Sequence, residues 1–371
     1  MMQITSDALQ FELTILGLPP TEATLMAQAV NDGRDSGDLE FAWRNVIEMH
    51  LRPDIPFEVH KRAHSALFST WDESQRPIPV WIPDPEAMKK TNLASLMSDE
   101  ELDSYEELFQ WSIEDRIGFW GEMIDRLGIR FKQKPQRIIA DDANVETPFW
   151  LPGATLNIAD SCFNAEPDSP AIVYANENGE LKTMSLIELD SLTNRVANGL
   201  VAWGLKPGDA IAIDLMMTSE AVAIYLGIVR AGCVAVSIAD SFAPAEIATR
   251  LQIAKAKAIF TQDYIIRGGK QLPLYEKVID ANAPKAIVLQ SGESLDLELR
   301  QGDLAWESFL SDKEDFRSVA CAPDEYSNIL FSSGTTGDPK AIPWTHTSPI
   351  KCAADGWLHQ DIRPGEIVAW P

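Results

Sequence analysis

From residue 166 onward, short apolar runs alternate with amphipathic segments, and this alternation leaves few architectures open to the chain. Ala171-Ile172-Val173-Tyr174, Ile211–Leu215, Cys233–Ile238, Ala258-Ile259-Phe260-Thr261, Ala286–Leu289 and Ile329–Phe331 each have strand length and are apolar or nearly so. A strand that is apolar on both faces must have both faces covered. The pattern therefore predicts an α/β fold of layered sheets flanked by helices.

The intervening segments carry helix signals. Ser185-x-x-Glu188 makes a capping box, Leu189, Leu192, Val196 and Leu200 share one face, and Gly204 marks a stop. Lys206-Pro207-Gly208-Asp209 reads as a turn before the next strand, and a second helix is expected from about Ser219 to Arg230, ending near Gly232. Another follows Pro244, while Asn178-Gly179 predicts a hairpin turn leading toward Leu181–Thr183. Ahead of this region, residues 1–100 suggest a mainly helical extension: short helices separated by the Pro-rich connectors Gly17-Leu18-Pro19-Pro20 and Pro77 to Pro85. Residues 101–165 hold one amphipathic helix near 101–127, with Leu108, Trp111, Phe119, Met123 and Leu127 at helical spacing as core residues, and then an irregular crossing segment. Residues 166–371 form the α/β region, with no internal repeat or low-complexity tract.

Within that region, Ser332-Ser333-Gly334-Thr335-Thr336-Gly337-Asp338-Pro339-Lys340 follows the strand end Ile329-Leu330-Phe331. Gly334 and Gly337 permit backbone conformations and close approaches that a side chain would block. Ser332, Ser333, Thr335 and Thr336 add hydroxyl donors to the backbone N–H groups, and Lys340 adds a positive charge. Such a loop suits a triphosphate or a departing pyrophosphate. It is not an ordinary P-loop, which ends in Gly-Lys-Ser/Thr ahead of a helix. Here Pro339 precedes Lys340, and Ala341-Ile342-Pro343-Trp344-Thr345 reads as another strand, so the loop joins two strands without a helix dipole behind it.

The run Ser-Ser-Gly-Thr-Thr-Gly-x-Pro-Lys resembles the signature of adenylate-forming enzymes, the superfamily of acyl-CoA synthetases, luciferases and peptide-synthetase adenylation domains. Ala341 departs from the glycine common there and removes no donor. Upstream, Ser104-Tyr105-Glu106-Glu107-Leu108, Trp111-Ser112-Ile113-Glu114-Asp115, Phe119-Trp120 and Trp150-Leu151-Pro152-Gly153-Ala154-Thr155-Leu156-Asn157 are similar to the lead-in segment of acetyl-CoA-synthetase-like enzymes. Cys162-Phe163-Asn164 departs from the Cys-Leu-Asp-Arg-His-like run of short-chain synthetases, so acetate is not implied. The whole chain most resembles plant peroxisomal acyl-activating enzymes, which carry an additional helical region before that segment.

The resemblance implies a fold, the N-terminal part of the large domain of these enzymes, and a two-step activation of a carboxylic acid. The acid attacks the α-phosphate of ATP to give an acyl-adenylate and pyrophosphate, and CoA thiolate then displaces AMP. Substrates and cofactors are thus the acid, ATP, Mg²⁺ and CoA. Lys340 is assigned to catalytic charge neutralisation, Ser332, Ser333, Thr335 and Thr336 to phosphate contacts, and Gly334 and Gly337 to loop shape. His346 matches a position where many relatives have His, and packing, capping and catalysis are all open to it. Thr347, Ser348 and Pro349 read as a helix start. The adenine pocket, the Tyr-Gly-x-Thr-Glu segment with its magnesium-contacting acid, the ribose-binding aspartate, the hinge and the lid lysine are expected beyond Pro371. On this reading the chain is an incomplete acyl-CoA synthetase, inactive and poorly stable alone, with an unpaired sheet edge and no metal ligands. The alternatives are a noncatalytic short form that binds nucleotide or pairs with a full-length partner, and an adenylating enzyme with an acceptor other than CoA.

Composition excludes some partners. A net charge of −25 argues against nucleic acid or an anionic membrane surface, both of which require a positive field, so ATP and CoA must meet locally offset charge. Much of the acid lies in Asp99-Glu100-Glu101-Leu102-Asp103 and Glu106-Glu107, read as a solvated helix face. Cys162, Cys233, Cys321 and Cys352 have no metal-binding or Cys-x-x-Cys spacing and read as free thiols in a reducing compartment. His60 and His64 are four residues apart but have no third ligand nearby, so zinc is not expected. Ala210 to Ala239, the longest apolar region, is interrupted by Asp214, Glu220 and Arg230 and reads as core, not a membrane span. No cationic leader opens the sequence and no Ser-Lys-Leu-type tail closes it, so a peroxisomal location follows from the resemblance alone, with cytoplasm otherwise expected.

Overall fold

The structure, a computed structural model, describes residues 5–74, 76–140, 146–175, 179–292, 294–295, 297–332, 337 and 339–369. It divides into two compact units, Met1–Glu101 and Leu102–Pro371.

The first unit is helical. α1 (Ser6–Ile15), α2 (Pro20–Ser36), α3 (Leu39–His50) and α4 (Phe57–Leu67) are followed by the short α5 (Pro85–Met88) and α6 (Asn92–Asp99). Proline opens α2 and α5, where its missing N–H would have no intrahelical partner. Leu9, Leu13, Met26, Val30, Val46, Val59 and Leu67 fill one buried core. α2 and α3 approach closely at Gly33, where an added Cβ would sit 2.3 Å from the Ala42 Cβ. The Trp43 indole donates from Nε1 to the Val80 carbonyl at 2.7 Å, so the extended segment after α4 is tied to that core.

The second unit begins with α7 (Tyr105–Glu114) and α8 (Arg116–Arg126), two helices where the spacing predicts one. Asp115 makes the break. It leaves the helical region at φ −110°, ψ 66°, its N–H closes the end of α7 on Trp111, and its carboxylate accepts from Gly118 N at 2.9 Å to cap α8. This local side-chain bond competes with helix continuation, which a periodicity argument does not detect. Leu108, Phe119 and Met123 are buried as core residues on either side of the break.

β1 (Phe131–Gln133) pairs antiparallel with β2 (Thr155–Leu156), and β3 (Pro170–Tyr174) with β4 (Lys182–Ser185). The second pair is a hairpin outside the central sheet. Its Asn178 lies outside the described residues. α9 (Leu186–Ala202) then starts from the expected capping box, with the Glu188 carboxylate reaching back to Ser185 N at 2.7 Å.

β5 (Ala210–Ile213), α10 (Ser219–Arg230), β6 (Val234–Ser237), α11 (Pro244–Ala254) and β7 (Ala258–Gln262) follow in strict alternation. Next come the hairpin β8 (Tyr264–Arg267) and β9 (Lys270–Pro273), then α12 (Tyr275–Asp280), β10 (Lys285–Leu289), β11 (Leu304–Ala305) and α13 (Trp306–Phe309). The antiparallel pair β12 (Tyr326–Ser332) and β13 (Lys340–Thr345) leads into α14 (Ser348–His359). The central sheet has seven strands in the order β11-β10-β7-β5-β6-β12-β13, parallel throughout except for β13. Adjacent residues on its strands feed opposite faces. Ile211, Phe260 and Ile287 pack with Val196, Leu200 and Ile228, whereas Ala212, Ile259 and Val288 pack with Ile247, Leu251 and Tyr275. This two-sided burial is what near-continuous apolar strands require. Among the described residues no helix is long and apolar enough to cross a membrane.

The segment before the α/β region is held to it by buried polar groups. Asn157, 1% exposed, donates from Nδ2 to the carbonyls of Val229 at 2.8 Å and Val319 at 3.0 Å, while its Oδ1 accepts from Ala159 N to start a 3-10 helix at Ile158–Phe163. Its neighbour Ile158 donates its N–H to His346 Nδ1 at 3.2 Å, and Leu156 exchanges backbone bonds with Cys321. Arg230, at the end of α10, donates to Asp190 and Asn194 at 2.6 Å each and lies over the Phe163 ring at 4.2 Å. His346 is 1% exposed, and burial lowers its pKa to about 4, against the smaller opposing pull of Glu325 and Asp160. The ring is therefore neutral, with Nδ1 as acceptor. Packing is the role this geometry supports for His346.

Two expectations follow. Replacing Asn157 by Leu strands two buried carbonyls and a buried amide, so unfolding in urea should show a loss of about 3 kcal/mol. His346 resists protonation in the fold but not in the unfolded chain, so its contribution is complete above pH 6.5 and declines as pH falls toward 4, by about 3 kcal/mol in all. His346→Asn keeps an acceptor for Ile158 without a titrating ring. The stability gap between this variant and the parent should narrow, or reverse in favour of Asn, over that pH window; a gap independent of pH would refute the neutral buried imidazole.

Candidate functional site

The loop singled out in the sequence spans the turn between β12 and β13. β12 pairs on its other side with β6 in parallel register, Asn328 opposite Ala235 and Ile329 opposite Val236, so its C-terminal end lies at the same edge of the sheet as the C-terminal ends of β5, β6, β7 and β10. Open α/β sheets bind ligands at that edge. The antiparallel register opposes Phe331 to Ala341 and Ser332 to Lys340, so Ser332 and Lys340 are the two feet of the loop. The Lys340 side chain is exposed and makes no hydrogen bond or ion pair among the described residues. Gly337 has φ +101°, a conformation in which an L side chain would be strained, although an added Cβ would find open space. Ser333, Gly334, Thr335 and Thr336 lie outside the described residues, as does Asp338.

Beside Phe331, near the end of β12, stands a cation that the sequence pattern does not reveal. Arg250 of α11 is 9% exposed, with its guanidinium carbon 3.8 Å from the centre of the Phe242 ring and 5.6 Å from that of Phe331, the residue before Ser332. Its Nη1 donates to the Glu246 carbonyl at 3.0 Å, which holds the group on its own helix.

Asp214 lies at the same edge, one residue past β5. It is fully buried, its backbone N–H continues the ladder to Phe260, and neither carboxylate oxygen has a hydrogen-bond partner among the described residues. The same holds for the hydroxyl of Thr261 on the adjacent strand β7. Burial pushes the Asp214 carboxyl up to about 7, with Lys277 pulling it down and Asp240 adding to the rise. An acid that interrupts the apolar run Ile211–Leu215 is visible in the sequence; its isolation from any partner is not. Close by, Lys277 donates to the Asp240 carbonyl at 3.0 Å and Arg267 pairs with the Asp240 carboxylate at 2.7 Å.

Among the described residues no group of three or more His, Cys, Asp or Glu could hold a metal ion. Of the residues described there, Ser332 and Lys340 stand on paired strand ends at the carboxyl edge of a parallel sheet, and a hydroxyl and an ammonium group are donor types suited to an anion.

Comparison with known proteins agrees with this fold. The profile of the AMP-binding enzyme family matches residues 160–371, and that of the acetyl-coenzyme A synthetase N-terminus matches residues 105–162. Hexanoyl-CoA synthase of Cannabis sativa is 41% identical over 357 residues, covering 89% of this chain and 49% of that protein. Probable acyl-activating enzyme 17, peroxisomal, of Arabidopsis thaliana is 42% identical over 355 residues, again covering 89% of this chain and 49% of that protein. Among solved structures, acetoacetyl-CoA synthetase from Streptomyces lividans superimposes with a TM-score of 0.72 at 27% identity, over 78% of this chain and 47% of that one. The chain spans about half the length of the curated relatives it matches. It belongs to the AMP-binding enzyme family, in the acyl-CoA synthetase group whose members carry the acetyl-CoA synthetase N-terminal segment.

Proposed function

We propose that this chain contributes the phosphate-handling half of a ligase that joins a fatty or aryl/alkyl carboxylic acid to CoA. A carboxylate is a poor electrophile, so its oxygen first attacks the α-phosphorus of ATP; the bond to the β-phosphate oxygen breaks and pyrophosphate leaves. The CoA sulfur then attacks the acyl carbon, and AMP departs with the carboxylate oxygen. The observation that carries this reading is the β12–β13 turn at the carboxyl edge of the sheet, with Lys340 exposed at its foot and a sequence rich in hydroxyls and glycines. In the first step the protein must bring two anions together and stabilise charge on the leaving pyrophosphate. In this reading the Lys340 ammonium neutralises that charge, Ser332, Ser333, Thr335 and Thr336 donate to phosphate oxygens, and Gly334 and Gly337 let the backbone approach them. Magnesium would arrive on the nucleotide.

The proposal divides the chain into a helical extension over 1–100, a synthetase-type lead-in segment over 101–165 and part of the AMP-binding domain over 166–371. It includes a peroxisomal site of action, supported by the name of the Arabidopsis relative. It also holds that residues 1–371 alone do not turn over, since they span about half of those relatives.

Carboxylate-dependent exchange of labelled pyrophosphate into ATP tests the reading. In a form of the protein as long as its relatives, Lys340→Met should slow exchange about a hundredfold with little change in folding. Exchange at the parental rate would remove Lys340 from the mechanism. The 371-residue chain should support no exchange, and any acid-dependent exchange by it would overturn the claim that it is incomplete.

A further inference from the structure

A cavity of about 350 Å³ lies in the second unit, between α8, the segment around Trp150 and the start of α14. Its size falls within the range of small-molecule sites. The Trp120 and Trp150 indoles meet edge to face at 5.9 Å and form one wall, with Ile124 and Ile350, both mostly buried, completing an apolar body. Thr347, Ser348 and Lys351 line the cavity as well, adding two hydroxyls and an ammonium group to the apolar wall. Ser348 Oγ accepts from Thr345 N at 3.1 Å and, apart from a long 3.5 Å contact with Thr345 Oγ1, keeps its own proton for another acceptor.

This cavity is separate from the loop. β13 starts at Lys340 and ends at Thr345, so five extended residue steps, about 17 Å, carry the chain from the foot of the loop to the neighbourhood of Thr347.

We propose that this cavity is a second ligand site, for a compact monocarboxylate with an aromatic or branched apolar body. The body packs against the two indoles, where a flat or branched group makes the most contact per atom. The carboxylate accepts from the Ser348 hydroxyl and meets the Lys351 ammonium. Lys351 is paired with Asp355 one turn along the helix, but the two side chains are 58% and 46% exposed. Such an exposed pair is weak, so a ligand carboxylate can share or take the ammonium at little cost. A neutral ligand of the same shape gains the apolar wall and loses the charge-assisted contact.

Titration calorimetry on the 371-residue chain, without ATP, tests this with phenylacetate and its neutral amide, phenylacetamide. Phenylacetate should bind saturably at one site, at least tenfold more tightly than the amide. Lys351→Met, a change at an exposed position, should abolish that discrimination while leaving the thermal transition of the protein in place. Trp120→Leu should weaken both probes. No saturable binding of phenylacetate up to about 10 mM, the range of the weakest specific affinities, would overturn the proposal. So would a Lys351→Met protein that still distinguishes acid from amide as the parent does. Because binding is read without nucleotide, these outcomes are independent of whether the loop adenylates an acid.

Discussion

The side-chain amide of Asn157 joins three stretches of backbone that the sequence keeps far apart. Its Nδ2 satisfies carbonyls at the end of α10 and in the approach to β12, while its Oδ1 starts the 3-10 helix that carries Ile158 onto His346. A buried amide with every group paired is rigid, and it admits few alternatives, because each displaced bond would leave a buried polar atom stranded. The consequence reaches the candidate site. β12 is held on one side by β6 and β13 by β12, and His346, just past β13, is fixed by Ile158. A glycine-bearing loop cannot hold donors in place through its own stiffness. It depends on feet that do not move, and electrostatic stabilisation of a developing charge is effective only when the donors are already oriented.

The same clamp explains which parts of the molecule can be read from sequence. Strands β5, β6, β7 and β10 announce themselves because two-sided burial leaves a local, continuous apolar signature. The cap of α9 is equally local, with donor and acceptor three residues apart. Asp115 is harder, since its carboxylate can either decorate a long helix or break it, and only the competing bond to Gly118 decides. Asn157 and Arg230 are harder still. The carbonyls that Asn157 satisfies lie 72 and 162 residues away, and the Asn194 and Asp190 side chains that accept from Arg230 lie 36 and 40 away, so neither pairing leaves a periodic trace. At the candidate site, the order of residues 332–340 and the strands on either side were legible, whereas Arg250 beside Phe331 belongs to a helix whose pattern gives no reason to place it there.

Charge at the carboxyl edge follows from burial as much as from composition. A chain with a net charge of −25 is a poor host for a polyanion unless acid near the ligand is neutralised or removed. Asp240 is engaged by Arg267, and Asp214, shut away from water without a hydrogen-bond partner among the described residues, has its carboxyl pushed up to about 7 by burial. Arg250 and Lys340 lie on the other side of the balance. Arg250 is fixed between two aromatic rings and serves as a permanent source of field, whereas Lys340 is exposed and unpaired among the described residues, and so is available to a ligand.

The single antiparallel pairing in an otherwise parallel sheet has a chemical meaning. Parallel strands are joined through a crossover helix, so a phosphate at their ends usually meets a helix N-terminus. β12 and β13 are joined directly, with Ser332 opposite Lys340, so an anion held there would have to take its donors from the turn itself. This favours hydroxyls, glycine and a lysine over a dipole, and that is the composition of residues 332–340. It also places β13 at an edge of the described sheet, where free N–H and C=O groups invite pairing with another chain. Pro343, opposite Ile329, has no N–H to offer, and Lys340 puts a charge at the start of the strand. Lys340 thus stands both at the foot of the candidate anion turn and at the start of the edge strand, where its charge discourages pairing with another chain.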